Sequence, residues 1–460
     1  MIEEETKPSD QVRGQNHLDH ETFEAVVAAV ESADSDRLQE LLEPLHEADI
    51  ADLIEELDRN QRRELIRVWG IDVDGAALSE LEEGVRDEII AEMGDEALAA
   101  AVQDLETDDV VYLTEDLEGP QQERILRMLD DADRVAVRQS LTYEEFSAGR
   151  LMQREVVVAP EHWSVGDAID YMRAEDHLPE SFYGLVIADP QMHPVGMVSL
   201  GRLMGSARPT RLKDIMEEDL RTLNVSQPQE DVAYIFNKYH IISAPVVDDD
   251  GRLVGLITID DAMDVLEDEA EEDMKLLAGV GDEELNDGVL EIAKARFIWL
   301  TVNLITAILA SVVIAQFTDT IESLVALAVL MPIVASMGGN AGTQTLTVAV
   351  RALATHSLTP RNIRRFIGRE GLVGLINGVG FAVLIGVLSA VFYSNWALGA
   401  VIATAMIGNM VVAAFAGVMV PIALDRLKLD PALASGTFVT TITDVFGFFA
   451  FLGLAGAVLL

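Results

Sequence analysis

The chain has 460 residues, no cysteine, 79 Asp and Glu against 32 Lys and Arg, and a net charge of -47, yet half of its residues are hydrophobic. The missing cysteines exclude a disulfide framework and thiolate metal sites. The acidity makes nucleic acid an unfavourable partner, because phosphate contacts require Lys and Arg.

A chain that is both acidic and apolar must keep the two properties apart. Only six of the acids and seven of the bases lie after residue 296, so residues 1–296 carry a net charge of -48 and the remainder +1. Divalent-cation sites and a solvated, halophile-type surface are the two readings of that acidity. Met1-Ile2-Glu3-Glu4-Glu5 lacks the basic and apolar regions of a secretory signal.

Residues 1–22 are polar and aperiodic and read as a disordered tail. Residues 23–150 read as short amphipathic helices separated by acidic turns. In HEADIADLIEELD, Ile50, Leu53, Ile54 and Leu57 keep the i, i+3, i+4, i+7 spacing of one buried face. Looser copies in EALAAAVQDLETDD and VVYLTEDLEGPQQERILRML predict a superhelical stack of helical hairpins. Single acids in its turns are accounted for by N-capping.

Residues 151–213 and 214–263 repeat one order of strand, helix, strand, turn, strand. The first copy places strands at Val156–Val158, Gly184–Ala188 and Val195–Leu200, with a helix over Val165–Arg173. The second places strands at Leu223–Val225, Ala244–Val247 and Leu253–Thr258, with a helix over Glu230–Tyr239. The run Asp248-Asp249-Asp250-Gly251 is too short for a calcium loop and predicts a β-turn. This tandem resembles a pair of cystathionine-β-synthase (CBS) domains. In such modules a Thr/Ser-x-x-Asp after the last strand contacts a ribose. Thr258-Ile259-Asp260-Asp261 matches it, and Ser199-Leu200-Gly201-Arg202 does not, which leaves an adenine nucleotide at Thr258 and Asp261 as the ligand the module implies.

Residues 264–296 begin with a helix, Asp264 to Lys275, carrying acids on most faces. It reads either as a solvated linker or as a hard, oxygen-rich site for Mg2+ or Ca2+. Five apolar segments follow, at 297–317, 324–350, 371–393, 396–424 and 431–460, each at least the ~20 residues a membrane-spanning helix needs. Every basic loop falls on the N-terminal side, which predicts a multi-pass protein of the cytoplasmic membrane with the acidic region inside and the C-terminus outside. Met331-Pro332 and the cluster Gly338-Gly339-Asn340-Ala341-Gly342 predict a break in the second span. Gly374 and Gly378 give the third a close-packing GxxxG.

Asp444 is a carboxylate deep in the last span. It reads either as a protonated or hydrogen-bonded side chain, or as the lining of an ion path. Thr440, Thr443, Asp444 and Gly447 share one helical face, which favours the path. There is no Walker A loop, no HExxH and no nucleophile with a base, so an enzyme is not expected.

In this order, HEADIADLIEELD, SAGRLMQREVVVAP, the CBS pair, EDEAEEDMKLLAGV, MPIVASMGGNAGTQ, RALAT and DPALASGTFVTTITD resemble the MgtE magnesium channels over residues 40–460. The resemblance implies a mainly α membrane protein with five transmembrane helices per subunit, a cytoplasmic superhelical α domain and a tandem α/β CBS pair. It implies a homodimer whose ten helices enclose a pore, with Mg2+ as substrate and regulator. The acid matching Asp444 would be the principal pore ligand, with Thr440, Thr441, Gly339, Asn340 and Gln344 along the path. The regulatory Mg2+ would sit on Asp261, Asp264, Glu269, Glu272, Asp273 and Glu230, faced by Asp108 and Asp109. Pro228 and His240 stand where relatives often carry acids, and Gly436 where some carry a polar residue. The rival readings are a CBS-regulated secondary transporter and a membrane-anchored nucleotide sensor.

Overall fold

Apolar periodicity in the first 140 residues becomes ten helices in a computed structural model, which describes residues 20–103, 105–117, 119–175, 178–179, 182–280, 283, 288–433 and 435–460. They are α1 (His20–Ser32), α2 (Ser35–Leu42), α3 (Glu47–Glu56), α4 (Arg59–Trp69), α5 (Gly75–Ser79), α6 (Glu83–Glu92), α7 (Asp95–Gln103), α8 (Thr107–Thr114), α9 (Gly119–Leu126) and α10 (Asp131–Ser140). Ile50, Leu53, Ile54 and Leu57 are each at most 4% exposed and sit in one continuous core, each contributing about 1.5–3 kcal/mol. The acidic turns act as caps: Asp34, Asp58, Asp74 and Asp130 accept N–H groups of the first turns that follow them. The sequence tail before residue 20 lies outside the described residues.

A short helix, α11 (Ala148–Leu151), leads into the two repeats. In the first, β1 (Val158–Pro160), α12 (Val165–Ala174), β2 (Gly184–Ala188) and β3 (Pro194–Ser199) form a three-stranded sheet, followed by α13 (Leu200–Met204). In the second, β4 (Leu223–Asn224), α14 (Gln229–Tyr239), β5 (Ser243–Val247) and β6 (Leu253–Thr258) do the same. In both sheets the first strand runs parallel to the second and the third antiparallel to it. The first strand begins at Val158, two residues later than its β-branched run suggests. The turn at Asp248 is as expected, with Gly251 at φ +80° and Asp248 Oδ1 accepting from the N–H groups of Asp250 and Arg252. Ala148 and Met152 complete the core of the second repeat, to which Gln153 is also bridged through Leu256.

The acidic segment forms one helix, α15 (Ile259–Ala278). Residues 1–268 and 269–460 are two separate compact units. The second holds α16 (Val289–Ala315), α17 (Thr318–Ser323), α18 (Ala326–Ala354), α19 (Ile363–Phe392), α20 (Trp396–Arg426) and α21 (Ser435–Leu459). All but α17 are long and apolar enough to cross a membrane. α19 starts eight residues before its apolar run, taking Arg364, Arg365 and Arg369 into its first turns. Gly374 and Gly378 lie against Met410 and its neighbours on α20, the close approach their spacing predicts.

The expected break in the second span is absent. α18 runs unbroken from Ala326 to Ala354 with Pro332 inside it. Pro332 lies near the start of the helix, where the lost hydrogen bond affects only an early carbonyl. Gly338, Gly339 and Gly342 are packed against α20 and α21, so tertiary contacts compensate for their weak helical preference.

Candidate functional site

α21 carries four threonines, of which Thr440 and Thr441 each donate a hydroxyl to the carbonyl four residues back, at 2.6 Å in both cases. Thr443 donates to Thr440 O at 2.9 Å, and Thr437 donates to Asn303 Oδ1 of α16 at 2.7 Å. Back-bonding fixes the hydroxyl hydrogens and leaves oxygen lone pairs available as acceptors. The face expected to be uniformly polar is divided. Thr443 and Gly447 are buried against neighbouring helices, Asp444 is half-buried and Thr440 is exposed. Among the described residues Asp444 has no hydrogen-bond or ion-pair partner, and no charged group lies close enough to perturb it.

The second polar surface is on α18. Ser336, Asn340, Thr343, Gln344 and Thr347 fall at i, i+4, i+7, i+8 and i+11 and are all exposed, whereas Val334, Gly338, Gly342, Thr345 and Leu346 are buried. Gly339 is half-buried beside α21, where a methyl group would lie 3.7 Å from Thr440 Cγ2. The exposed side chains of α16, by contrast, include Phe297, Leu300, Leu304, Ile308 and Val312. A stripe of amides and hydroxyls has no place against lipid tails; it requires water or another protein surface.

At the other end of these helices, Leu276 and Leu277 of α15 pack against a cluster of Leu346, Val350, Ala416, Ala432 and Val439. Asp273, one turn earlier, is pushed up to about 6 by burial and by the neighbouring charges of Asp430 and Glu269. Glu269 is half-buried and Glu272 exposed.

The first unit holds a face of carboxylates, with Glu106, Asp108, Asp109, Glu155 and Asp261 half-buried and Glu80, Asp260 and Asp264 exposed. Asp108 is raised well above the carboxylate range by burial and then by Asp261, Asp109 and Glu106. Burial and the charges of Glu155, Asp109 and Asp261 push Glu106 to about 7. Burial pushes Asp109 to about 6 against a Ser79 hydrogen bond, with Glu80 and Asp260 adding to it. Asp261 rises to about 7, chiefly by burial, with Thr258 opposing and Asp260 and Asp109 adding. Glu80 is raised by burial and then by Asp264 and Glu47, and Asp264 by burial and then by Asp268, Asp260, Glu267 and Asp109. Asp108 and Asp109 therefore lie near Asp261, and Asp109 near Asp264. Glu230 is exposed in the first turn of α14, and none of these shifts has it as a main cause. Glu106, Glu155, Glu80 and Asp260 were not anticipated; Glu106 was within reach, two residues before Asp108 in the same acidic turn. Asn409 was missed too, although a lone amide inside an otherwise apolar span is itself a signal.

No group of three or more His, Asp or Glu side chains among the described residues is arranged to hold a metal ion outright. The donors are nonetheless hard oxygens, many of them half-buried and mutually repelling, which suits an ion that keeps much of its water. Thr258 and Asp261, the ribose-motif pair, are hydrogen-bonded to each other at 2.7 Å. Ser199 in the first repeat accepts from the Arg202 N–H at 3.4 Å.

The chain is similar to known proteins along most of its length. A divalent cation transporter model, MgtE, matches residues 331–454, the MgtE intracellular N domain matches 45–146, and CBS domains match 148–207 and 212–268. The magnesium transporter MgtE of Thermus thermophilus is 31% identical over 443 residues, covering 93% of this chain and 96% of its own. That of Enterococcus faecalis is 35% identical over 309 residues, 67% of this chain and 68% of its own. A crystal structure of the cytosolic domain of the Mg2+ channel MgtE in complex with ATP aligns with a TM-score of 0.50 and 28% identity, over 53% of this chain and 99% of that one.

Proposed function

This chain belongs to the MgtE family of divalent cation transporters, and on that premise we propose that it is a homodimeric Mg2+ channel, conducting into the cell and closed by Mg2+ bound to its acidic cytoplasmic face. The observation that carries the reading is that Asp444, without a partner among the described residues, lies on the helix packed beside the one that exposes Ser336, Asn340, Thr343, Gln344 and Thr347. In a single subunit Thr343 and Thr347 donate to the carbonyls four residues back, but Asp444 and the exposed amides of Asn340 and Gln344 have no partner among the described residues. Two subunits related by a two-fold axis would enclose them and put two Asp444 carboxylates near that axis. Such a pair suits a Mg2+ that sheds its water reluctantly. Thr440 and Thr441 contribute oxygens along the path, with Gly339 giving α21 room beside it.

The regulatory half of the proposal rests on the carboxylate face of Glu106, Asp108, Asp109, Asp261 and Asp264. These groups repel one another and are held partly out of water, so any divalent ion that bridges them favours the state in which they are together. α15 carries Asp261 and Asp264 in its first turns and Leu276 and Leu277 in its last. It is the element through which ion binding would reach the cytoplasmic end of the spans. Basic residues at Arg351, Arg361, Arg364, Arg365, Arg426 and Lys428 support the orientation with the acidic region inside. An adenine nucleotide at the CBS pair is the further ligand suggested by the ATP complex of the related cytosolic domain. The test is Mg2+ uptake into proteoliposomes: Asp444→Ala abolishes it while the dimer stays intact, and undiminished flux overturns the pore assignment.

A further inference from the structure

α20 contributes one strongly polar side chain to the interior of the membrane unit. Asn409 is 0% exposed. Its Nδ2 donates to the Val334 carbonyl of α18 at 2.8 Å. Its Oδ1 is buried with no hydrogen-bond partner among the described residues. An unpaired buried carbonyl is costly, so its retention between apolar helices needs a reason.

The surroundings supply one. Asn409 lies between two glycines on different helices, Gly338 of α18 and Gly447 of α21. A methyl group on Gly338 would come within 2.1 Å of Asn409 Nδ2, and one on Gly447 within 2.8 Å. The same two positions would lie 3.2 Å and 3.5 Å from Oδ1, so the whole amide, nitrogen foremost, sits over both glycines. The amide therefore fills space that both neighbours leave by having no side chain. Gly338 is two residues before Asn340, and Gly447 is three residues after Asp444, within one helical turn. Asn409 touches both helices that carry the candidate path without being on the path.

We propose that Asn409 is a positioning residue for ion conduction: its amide sets the spacing of α18 and α21 and thereby the height and orientation of Asp444 relative to Asn340. The proposal rests on the conduction reading of Asp444 and adds a residue to it. A hydrogen bond to a backbone carbonyl, rather than to a side chain, makes the spacing independent of rotamers on α18. The glycines make it short. Leu or Met at 409 would fill volume without fixing direction.

The absence of cysteine provides a readout independent of transport. In the full-length protein in proteoliposomes, Gly339→Cys with Thr440→Cys reports the α18–α21 spacing through its rate of disulfide formation. Asn409→Ala is expected to slow that rate about tenfold. In the cysteine-free background it is expected to raise the Mg2+ concentration for half-maximal flux and lower the Mg2+/Ca2+ flux ratio, each by about tenfold, with the dimer retained. Asn409→Ser, which keeps a donor, should recover part of both effects and serves as the test should the alanine variant not assemble. An unchanged disulfide rate together with an unchanged flux ratio overturns the proposal. If Asp444→Ala retains full flux, the conduction reading fails instead, and the disulfide rate still decides whether Asn409 sets the spacing.

Discussion

Thr258 donates both its backbone N–H and its hydroxyl to one oxygen of Asp261, at 3.2 and 2.7 Å. Asp261 thus secures the start of α15 and at the same time faces the acids of α8. Hydrogen bonds lower its proton affinity, yet burial and the neighbouring charges prevail and raise it to about 7. A carboxylate raised above its unfolded value stabilises the fold at low pH, and that stability is lost as pH rises through the folded pKa.

For Asp261, Glu106 and Asp109, at about 7, 7 and 6, the loss begins near the unfolded carboxylate pKa of about 4 and is complete by about pH 7. Without divalent ions, the melting temperature of the protein is expected to fall by roughly 5 °C across that range. Saturating Mg2+ should flatten the dependence, because a bound cation replaces the protons. A melting temperature that rises with pH in the absence of Mg2+ would contradict this account of the acidic face.

Neutralising the sensor should separate regulation from conduction. Asp261→Asn, Asp264→Asn, Glu272→Gln and Asp273→Asn together remove acids from both ends of α15. Currents in the combined variant are expected to persist at millimolar cytosolic Mg2+, where the parent protein closes. Asp108→Asn with Asp109→Asn should give a weaker version of the same loss. Inhibition retained in the combined variant rules out α15 as the sensor.

Much of this was legible before any coordinates. Ile50, Leu53, Ile54 and Leu57 announced a buried face because a helix returns to the same side every 3.6 residues. The CBS strands and the five spans followed from equally local patterns, of alternation and of length. The path was only partly readable. Helical spacing put Thr440, Thr443, Asp444 and Gly447 on one face, but whether that face meets water or another helix depends on α18 and α20, which spacing does not report. Thr443 and Gly447 are buried for that reason. Pro332 and the glycines of α18 predicted a break because intrinsic propensity was weighed without the neighbours that offset it. Glu106 and Glu155 meet across 49 residues of sequence, a pairing that no local pattern encodes.

The docking of α15 yields a third prediction. Leu276 and Leu277 are half-buried against Val350 and Val439, worth about 1 kcal/mol each in lost apolar contact. Leu276→Ala with Leu277→Ala should therefore shift the closed–open balance by about 2 kcal/mol, roughly 30-fold. The Mg2+ concentration that half-closes the channel should rise accordingly, with the maximal flux unchanged. An unaltered closing concentration would show that these contacts do not distinguish the two states.

The exposed stripe on α18 tests the dimer directly. Because the chain has no cysteine, Asn340→Cys, Thr343→Cys and Gln344→Cys each introduce a single thiol. If the stripe lines a path between two subunits, these thiols approach their symmetry mates, and a short bismaleimide should join two copies in the membrane. Leu384→Cys on α19 is the control: it is 65% exposed on an apolar surface suited to lipid. Mg2+ should slow modification at Asn340→Cys if the ion passes it, and Asp444→Ala should remove that protection while leaving the cross-link. Cross-linking at Leu384→Cys but not at the three stripe positions would place the dimer contact on another face, and the two Asp444 carboxylates would then lack a shared axis.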